Sequence, residues 1–153
     1  MMSNHNLKIG DRMVAEFNNK WGIISLDGNS GIWIVEPEYD YIGYPNSITM
    51  FRKADKWGVM NTDAKEWILP LICDTIYCSS GFMFINGIGV YEIAGKSGLI
   101  LDSGEYTEAI YDEVDLAAED YSKARIGDLW GYVAKDGQLV QDPDEAYFYE
   151  YID

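Results

Sequence analysis

A chain of 153 residues that is 48% hydrophobic and 14% aromatic is too rich in core-forming side chains to be disordered, and it is long enough to bury a core without staples. Its formal net charge of −15 argues against binding nucleic acid or anionic membrane surfaces and favours basic proteins as partners. The charge is uneven: residues 1–76 hold 7 Lys/Arg against 10 Asp/Glu, a net of −3, while residues 77–153 hold 4 against 16, a net of −12.

The chain opens with Met1 to Gly10, which has no apolar segment and no cleavage-like site. No stretch approaches the roughly 20 apolar residues that a bilayer crossing needs, so a cytoplasmic location is expected. The first β-prone run is Met13-Val14-Ala15-Glu16-Phe17, followed by Asn18-Asn19-Lys20. Next come Trp21-Gly22-Ile23-Ile24-Ser25-Leu26-Asp27-Gly28 and a run that ends in Glu36-Pro37-Glu38-Tyr39-Asp40. The same order then recurs. Ile48-Thr49-Met50-Phe51 leads through Ala54-Asp55-Lys56 to Trp57-Gly58-Val59-Met60, and on to Pro70-Leu71-Ile72-Cys73-Asp74. Val90-Tyr91-Glu92-Ile93 leads through Ala94-Gly95-Lys96 to Ser97-Gly98-Leu99-Ile100, and on to Tyr106-Thr107-Glu108-Ala109-Ile110-Tyr111-Asp112. Ala124-Arg125-Ile126 precedes Trp130-Gly131-Tyr132-Val133. The central glycines are spaced by 36, 40 and 33 residues.

Each recurring part has a physical reason. Runs of about five β-prone residues bounded by Asn, Asp and Gly predict hairpins. Asp-Gly tolerates the positive φ of a tight turn, so the hairpin turns are expected after each Trp-Gly strand. Pro37 and Pro70 suit an edge or a bend. A glycine after Trp removes a Cβ where a ring packs on the backbone, and the next repeat's Trp is the expected ring. The repeat tryptophans Trp21, Trp57 and Trp130 are read as core. Leu116 to Tyr121 allows at most a short helical turn. The tail from Asp142 to Asp153 has four aromatics in five positions at 147–151, which favours a packed segment.

These units resemble the WG-repeat family of bacterial proteins, in which WGYI is followed by an Asp/Lys-Gly turn and an IPxxYD-like strand. Trp130-Gly131-Tyr132-Val133 and Glu36-Pro37-Glu38-Tyr39-Asp40 carry the likeness, which spans about residues 13–140. The third unit departs from the pattern, with Ser97 in place of Trp. The resemblance implies stacked β-hairpins and transfers no catalytic residue. The expected fold is all-β: about four degenerate hairpin repeats, at 13–45, 46–80, 88–115 and 122–153, in one domain over 1–153. They would form a mostly antiparallel sheet array or a small barrel-like domain.

Little catalytic chemistry is available. His5 is the only histidine, which nearly removes Ser-His-Asp and Cys-His catalysis. On one extended strand Cys73 and Cys78 would lie about 16 Å apart on opposite faces, so both are expected to be reduced and buried. Gly95-Lys96-Ser97 lacks the earlier glycine of a phosphate-binding loop, since Val90 stands there. Asp27-Gly28-Asn29-Ser30-Gly31 lacks the later Glu of a Ca²⁺ loop. The expectation is a non-enzyme with no cofactor and no metal.

The acidic stretch from Asp102 to Asp120 holds eight carboxylates and no Lys or Arg. Tyr supplies contact area at low entropy cost, and carboxylates pair with basic residues across an interface. The candidate partner-binding residues are therefore Tyr106, Glu108, Tyr111, Asp112, Glu113, Asp115, Glu119, Asp120 and Tyr121. Asp144, Glu145, Tyr147, Tyr149 and Glu150 are the candidate second half of the same face. The expected role is that of an immunity protein blocking the basic active site of a toxin, with a nuclease as first candidate. A general scaffold is the alternative, and so is a carbohydrate-binding module using Trp33, Trp67 or the repeat tryptophans.

Overall fold

The computed structural model describes residues 8–9, 12–26, 31–78, 81–84, 87–116, 121–135, 138–139 and 148–150. All regular structure among them is β. The chain divides into two compact units, Met1–Phe82 and Met83–Asp153. Each unit holds two repeats.

The first unit contains β1 (Lys8–Ile9), β2 (Arg12–Phe17), β3 (Lys20–Ser25), β4 (Trp33–Tyr39), β5 (Tyr41–Ile42), β6 (Ile48–Lys53), β7 (Lys56–Asn61), β8 (Glu66–Cys73) and β9 (Thr75–Ile76). The first eight form two four-stranded antiparallel sheets, β1-β2-β3-β4 and β5-β6-β7-β8, neither closed. The second unit contains β10 (Ile88–Ile93), β11 (Lys96–Leu101), β12 (Glu113–Asp115), β13 (Tyr121–Ile126), β14 (Leu129–Lys135), β15 (Gln138–Leu139) and β16 (Phe148–Glu150). Here β10 and β11 pair as a hairpin, and a second sheet runs β12-β13-β14, with β15 and β16 both on β14. The aromatic tail thus supplies a strand through Phe148–Glu150. Residues 117–120, the centre of the expected helical turn, lie outside the described residues; Leu116 has no regular structure and Tyr121 opens a strand.

The repeat is visible in burial. β3 and β7 share one pattern: an exposed Lys, a half-buried Trp, three buried residues and a half-buried polar residue. β4 and β8 end alike as well, with Val35 and Leu69 buried, two exposed residues flanking a half-buried one, then buried Tyr39 and Cys73. Val14, Ile23, Val35, Tyr39, Ile42, Phe51 and Met60 form the core of the first unit. Ile88, Val90, Leu99, Leu101, Tyr111, Ala124 and Val133 form that of the second.

Asp-Gly stands in the two-residue link between paired Lys135 and Gln138 after the fourth repeat's Trp-Gly strand, as expected, but further tight turns precede the Trp-Gly strands. The registers Phe17↔Lys20, Lys53↔Lys56 and Ile93↔Lys96 leave two-residue loops at Asn18-Asn19, Ala54-Asp55 and Ala94-Gly95. All six residues have positive φ, from 53° to 82°, the signature of type I′ turns. The turn after the second Trp-Gly strand is longer, with Thr62–Lys65 between the paired Asn61 and Glu66. Ala54 and Ala94 sit in the left-handed region without a glycine's freedom, at a cost of about 1–3 kcal/mol each. Ala94→Asn places the preferred Asn-Gly pair in the type I′ turn. It is expected to stabilise the protein by about 1 kcal/mol, read as a higher urea midpoint at unchanged m. An unchanged or lower midpoint contradicts the strain.

Trp-Gly works through a bulge. Trp21 pairs with Tyr39 and Ile23 with Val35, so Glu36, Pro37 and Glu38 bulge opposite Gly22. Trp57 pairs with Cys73 and Val59 with Leu69, so Pro70, Leu71 and Ile72 bulge opposite Gly58. The ring over each glycine belongs to the third strand of its own repeat, not to the next repeat's Trp. Trp33 Cζ3 would lie 2.8 Å from a Cβ on Gly22, and Trp67 Cζ3 2.9 Å from one on Gly58. In the Trp-less third repeat the cross-strand Tyr91 covers Gly98 instead, and its hydroxyl donates to the Thr107 carbonyl. The repeat tryptophans themselves are half-buried. Arg52 lies 5.8 Å from the Trp57 ring centroid and Lys123 5.7 Å from that of Trp130.

Candidate interaction face

The Tyr-Asp corner of the first repeat is where the chain turns from one sheet to the next. Tyr39 pairs on the first sheet and Tyr41 on the second, so Asp40 is the single residue at which the chain changes sheets. Its N–H donates to the Arg52 carbonyl at 2.8 Å. Its carboxylate accepts from Lys20, which opens β3 of its own repeat, and from the Ala54 N–H at 2.9 Å, in the turn of the next. Asp112 repeats this arrangement in the second unit. Its N–H donates to the Arg125 carbonyl at 2.7 Å, and its carboxylate accepts from Lys96 and from the Gly127 N–H at 2.7 Å. The ammonium contact from Lys20 or Lys96, then the turn N–H, holds each of these carboxyls below the usual range. Asp63 is held low in the same way, by Arg12 first and Ser47 second. Asp112 is therefore a clasp between successive hairpins, not a free member of an acidic face.

A depressed carboxyl pKa stabilises the folded state above the ordinary carboxyl value of 3.8, and that stability is lost as pH falls through the folded value. The melting temperature is therefore expected to hold down to about pH 4 and fall below it. Asp40→Asn with Asp112→Asn should melt lower at neutral pH and show a flatter acid limb. An acid limb as steep as the parent's would remove these two groups from the account.

Downstream of β11 the third repeat loses its third strand. Where β4 and β8 form ladders, residues 102–112 touch β11 through two isolated bridges, Ile100↔Tyr106 and Ser97↔Tyr111. Leu101 N–H donates to the Glu105 carbonyl at 2.8 Å and Thr107 N–H to the Leu99 carbonyl at 2.8 Å, and Thr107 Oγ1 accepts from Leu99 N–H at 3.0 Å. Thr107 and Tyr111 are thus drawn inward, while Tyr106, Glu108 and Ile110 turn outward. Tyr106 is 49% exposed and Ile110 46%.

The candidate residues accordingly separate. Tyr106 and Glu108 are exposed on this segment, and Glu113 and Asp115 are exposed on β12. Tyr111 is 7% exposed and belongs to the core of the second unit, at the position of Tyr39 in the first, which takes it off the face. Burial pushes its phenol pKa up. The fold also brings bases that a linear count of residues 102–120 misses. Arg125 pairs with Glu113 at 3.5 Å, and Lys123 is the cross-strand neighbour of Asp115. The register builds one row across the second unit's sheet, Glu113–Arg125–Trp130–Tyr149, so the tail strand and β12 lie on opposite flanks of the β13-β14 hairpin. Tyr121 opens β13 opposite Lys135, and Glu150 stands opposite Leu129. Glu119, Asp120, Asp144, Glu145 and Tyr147 lie outside the described residues. Ile110 was missed from the sequence; the signal was its place in the repeat, where exposed Glu38 and Ile72 stand in the first two copies.

The cysteines divide. Cys73 is buried, as expected, and burial pushes its thiol up to about 11, whereas Cys78 is exposed; both are free. Asp27–Ser30 of the Ca²⁺-like fragment lie outside the described residues.

No family model matches the chain, and no curated protein matches it. Among solved structures, similarity is found to the N-terminal domain of Nup159 at 9% identity, covering 98% of this chain and 43% of that one, with a TM-score of 0.37. A S. cerevisiae complex of Dbp5 with Nup159 and Gle1 matches at 8% identity over 98% of this chain and 43% of that one, with a TM-score of 0.38. Hsv2p of Kluyveromyces lactis matches at 14% identity over 86% of this chain and 59% of that one, with a TM-score of 0.29. The chain spans less than half the length of the first of these, and likeness at this level carries no argument about function.

Proposed function

We propose that this chain is a non-enzymatic, acidic protein-binding module. Within that class we propose a cytoplasmic immunity protein, which blocks the basic active site of a toxin in bacterial competition by steric cover and charge complementarity. A nuclease is the first candidate toxin, because its active site must be basic to hold a phosphate backbone. The observation that carries the reading is the unladdered segment of the third repeat. It presents Tyr106 and Ile110 beside Glu108, with Glu113 and Asp115 on the strand that follows. Apolar anchors ringed by carboxylates are the complement of a basic surface with apolar contacts. The WG-repeat assignment belongs to the same proposal. Its support is the shared burial of β3 and β7 and the recurring Lys-Asp clasp.

The test is binding to the product of the adjacent gene, measured at several salt concentrations. Affinity should fall as salt rises. Glu108→Gln with Glu113→Gln and Asp115→Asn should weaken it by about tenfold or more. Asp112 is left intact because it clasps the fold. No binding, or binding indifferent to these substitutions, overturns the proposal.

A further inference from the structure

The first repeat carries a feature that the acidic face does not use. Its bulged third strand and the second repeat's β7 line an open hollow of about 230 Å³, with Trp33, Ile34, Val35, Tyr39 and Met60 as its apolar lining. Glu36 and Glu38 line it too, both exposed, and Lys65 is its one basic lining residue. Among the described residues of this unit the ion pairs are Arg12–Asp63, Lys20–Asp40 and Lys56–Asp74, so neither glutamate is in one. Trp33 is held in place, because its ring edge lies against the Gly22 backbone. The bulge opposite that glycine carries Glu36 and Glu38 out of the ladder.

From this geometry we infer that the hollow receives a single arginine side chain from a protein partner. A guanidinium lies flat on an indole and forks to carboxylates, which a compact ammonium does less well. The lining holds two carboxylates against one ammonium, a net of −1, which suits one cation. The volume suits one long side chain and not a folded segment. The molecule contains its own control: the equivalent bulge of the second repeat puts Pro70 and Ile72 where Glu36 and Glu38 stand, leaving Trp67 without the anions. This site lies in the first unit and does not depend on the acidic face of the third repeat.

The experiment is titration of the full chain with blocked Gly-Arg-Gly, followed at the tryptophan indole N–H resonances. The Trp33 signal should shift saturably and Trp67 should not. Replacing arginine by its neutral isostere citrulline should abolish the shift, and blocked Gly-Lys-Gly should bind more weakly. Glu36→Gln with Glu38→Gln, both at exposed positions, should weaken binding by about fivefold or more while the far-ultraviolet spectrum is unchanged. A shift equal with citrulline, equal with lysine or equal at Trp67 overturns the assignment, as does the absence of any saturable shift.

Discussion

Gly58→Ala is expected to cost about 3 kcal/mol or more, among the largest effects of any single methyl in this chain. A Cβ there would lie 2.8 Å from the Leu69 carbonyl oxygen, 2.9 Å from Trp67 Cζ3 and 3.0 Å from the Pro70 carbonyl carbon. Two of those three neighbours are backbone, so no rotamer change relieves the clash. The bulge would have to lift away from β7. Trp67, though 37% exposed, packs edge-on to Phe51 at 5.7 Å and to Tyr39 at 6.2 Å, so displacing it disturbs the core of the first unit. Gly22→Ala meets the same obstacle against Val35, Trp33 and Glu36. The contrast is Gly95→Ala, where nothing lies within 4 Å and only the positive φ of 82° opposes the change. That substitution should cost about 1 kcal/mol. Urea unfolding of the three variants checks the ranking. Equal losses at Gly58 and Gly95 would mean that backbone freedom, not close approach, explains the Trp-Gly pair.

That pair shows what a linear reading reaches. Period, strand content and the need for glycine after Trp follow from residues recurring at fixed spacing, and the structure is all-β with matched burial in β3 and β7. The ring that covers the glycine did not follow, because it arrives from a strand that passes through a bulge, and a bulge changes register without a local composition signal. The turns were legible only in part for a related reason. Asp-Gly stands in the two-residue link between Lys135 and Gln138, but pairing registers leave equally short links without Asp-Gly at Asn18-Asn19, Ala54-Asp55 and Ala94-Gly95. The candidate face was half legible. Exposed Tyr106, Glu108, Glu113 and Asp115 were found by composition. Lys96 and Arg125 reach the stretch only through contacts 16 and 12 residues away, which counting charge along the chain misses.

Tyr111 and Tyr106 then give a paired prediction, because both were candidates for the same face and the fold separates them. Tyr111→Ala should cost about 3 kcal/mol, since it empties a nearly buried ring from the cluster of Ile88, Val90, Leu99 and Leu101. Tyr111→Phe keeps the ring and loses only the hydroxyl's bond with the Thr107 side chain, a loss of about 1 kcal/mol. Tyr106→Ala should change stability by no more than about 0.5 kcal/mol, because its side chain is half exposed on an unladdered segment. On affinity for the proposed partner the order inverts. Tyr106→Ala should weaken binding and Tyr111→Phe should leave it unchanged. Denaturation midpoints and affinities measured on the same three variants decide the matter. If Tyr111→Phe loses affinity at full stability, the phenol reaches the partner and the division between clasped core and open face is wrong.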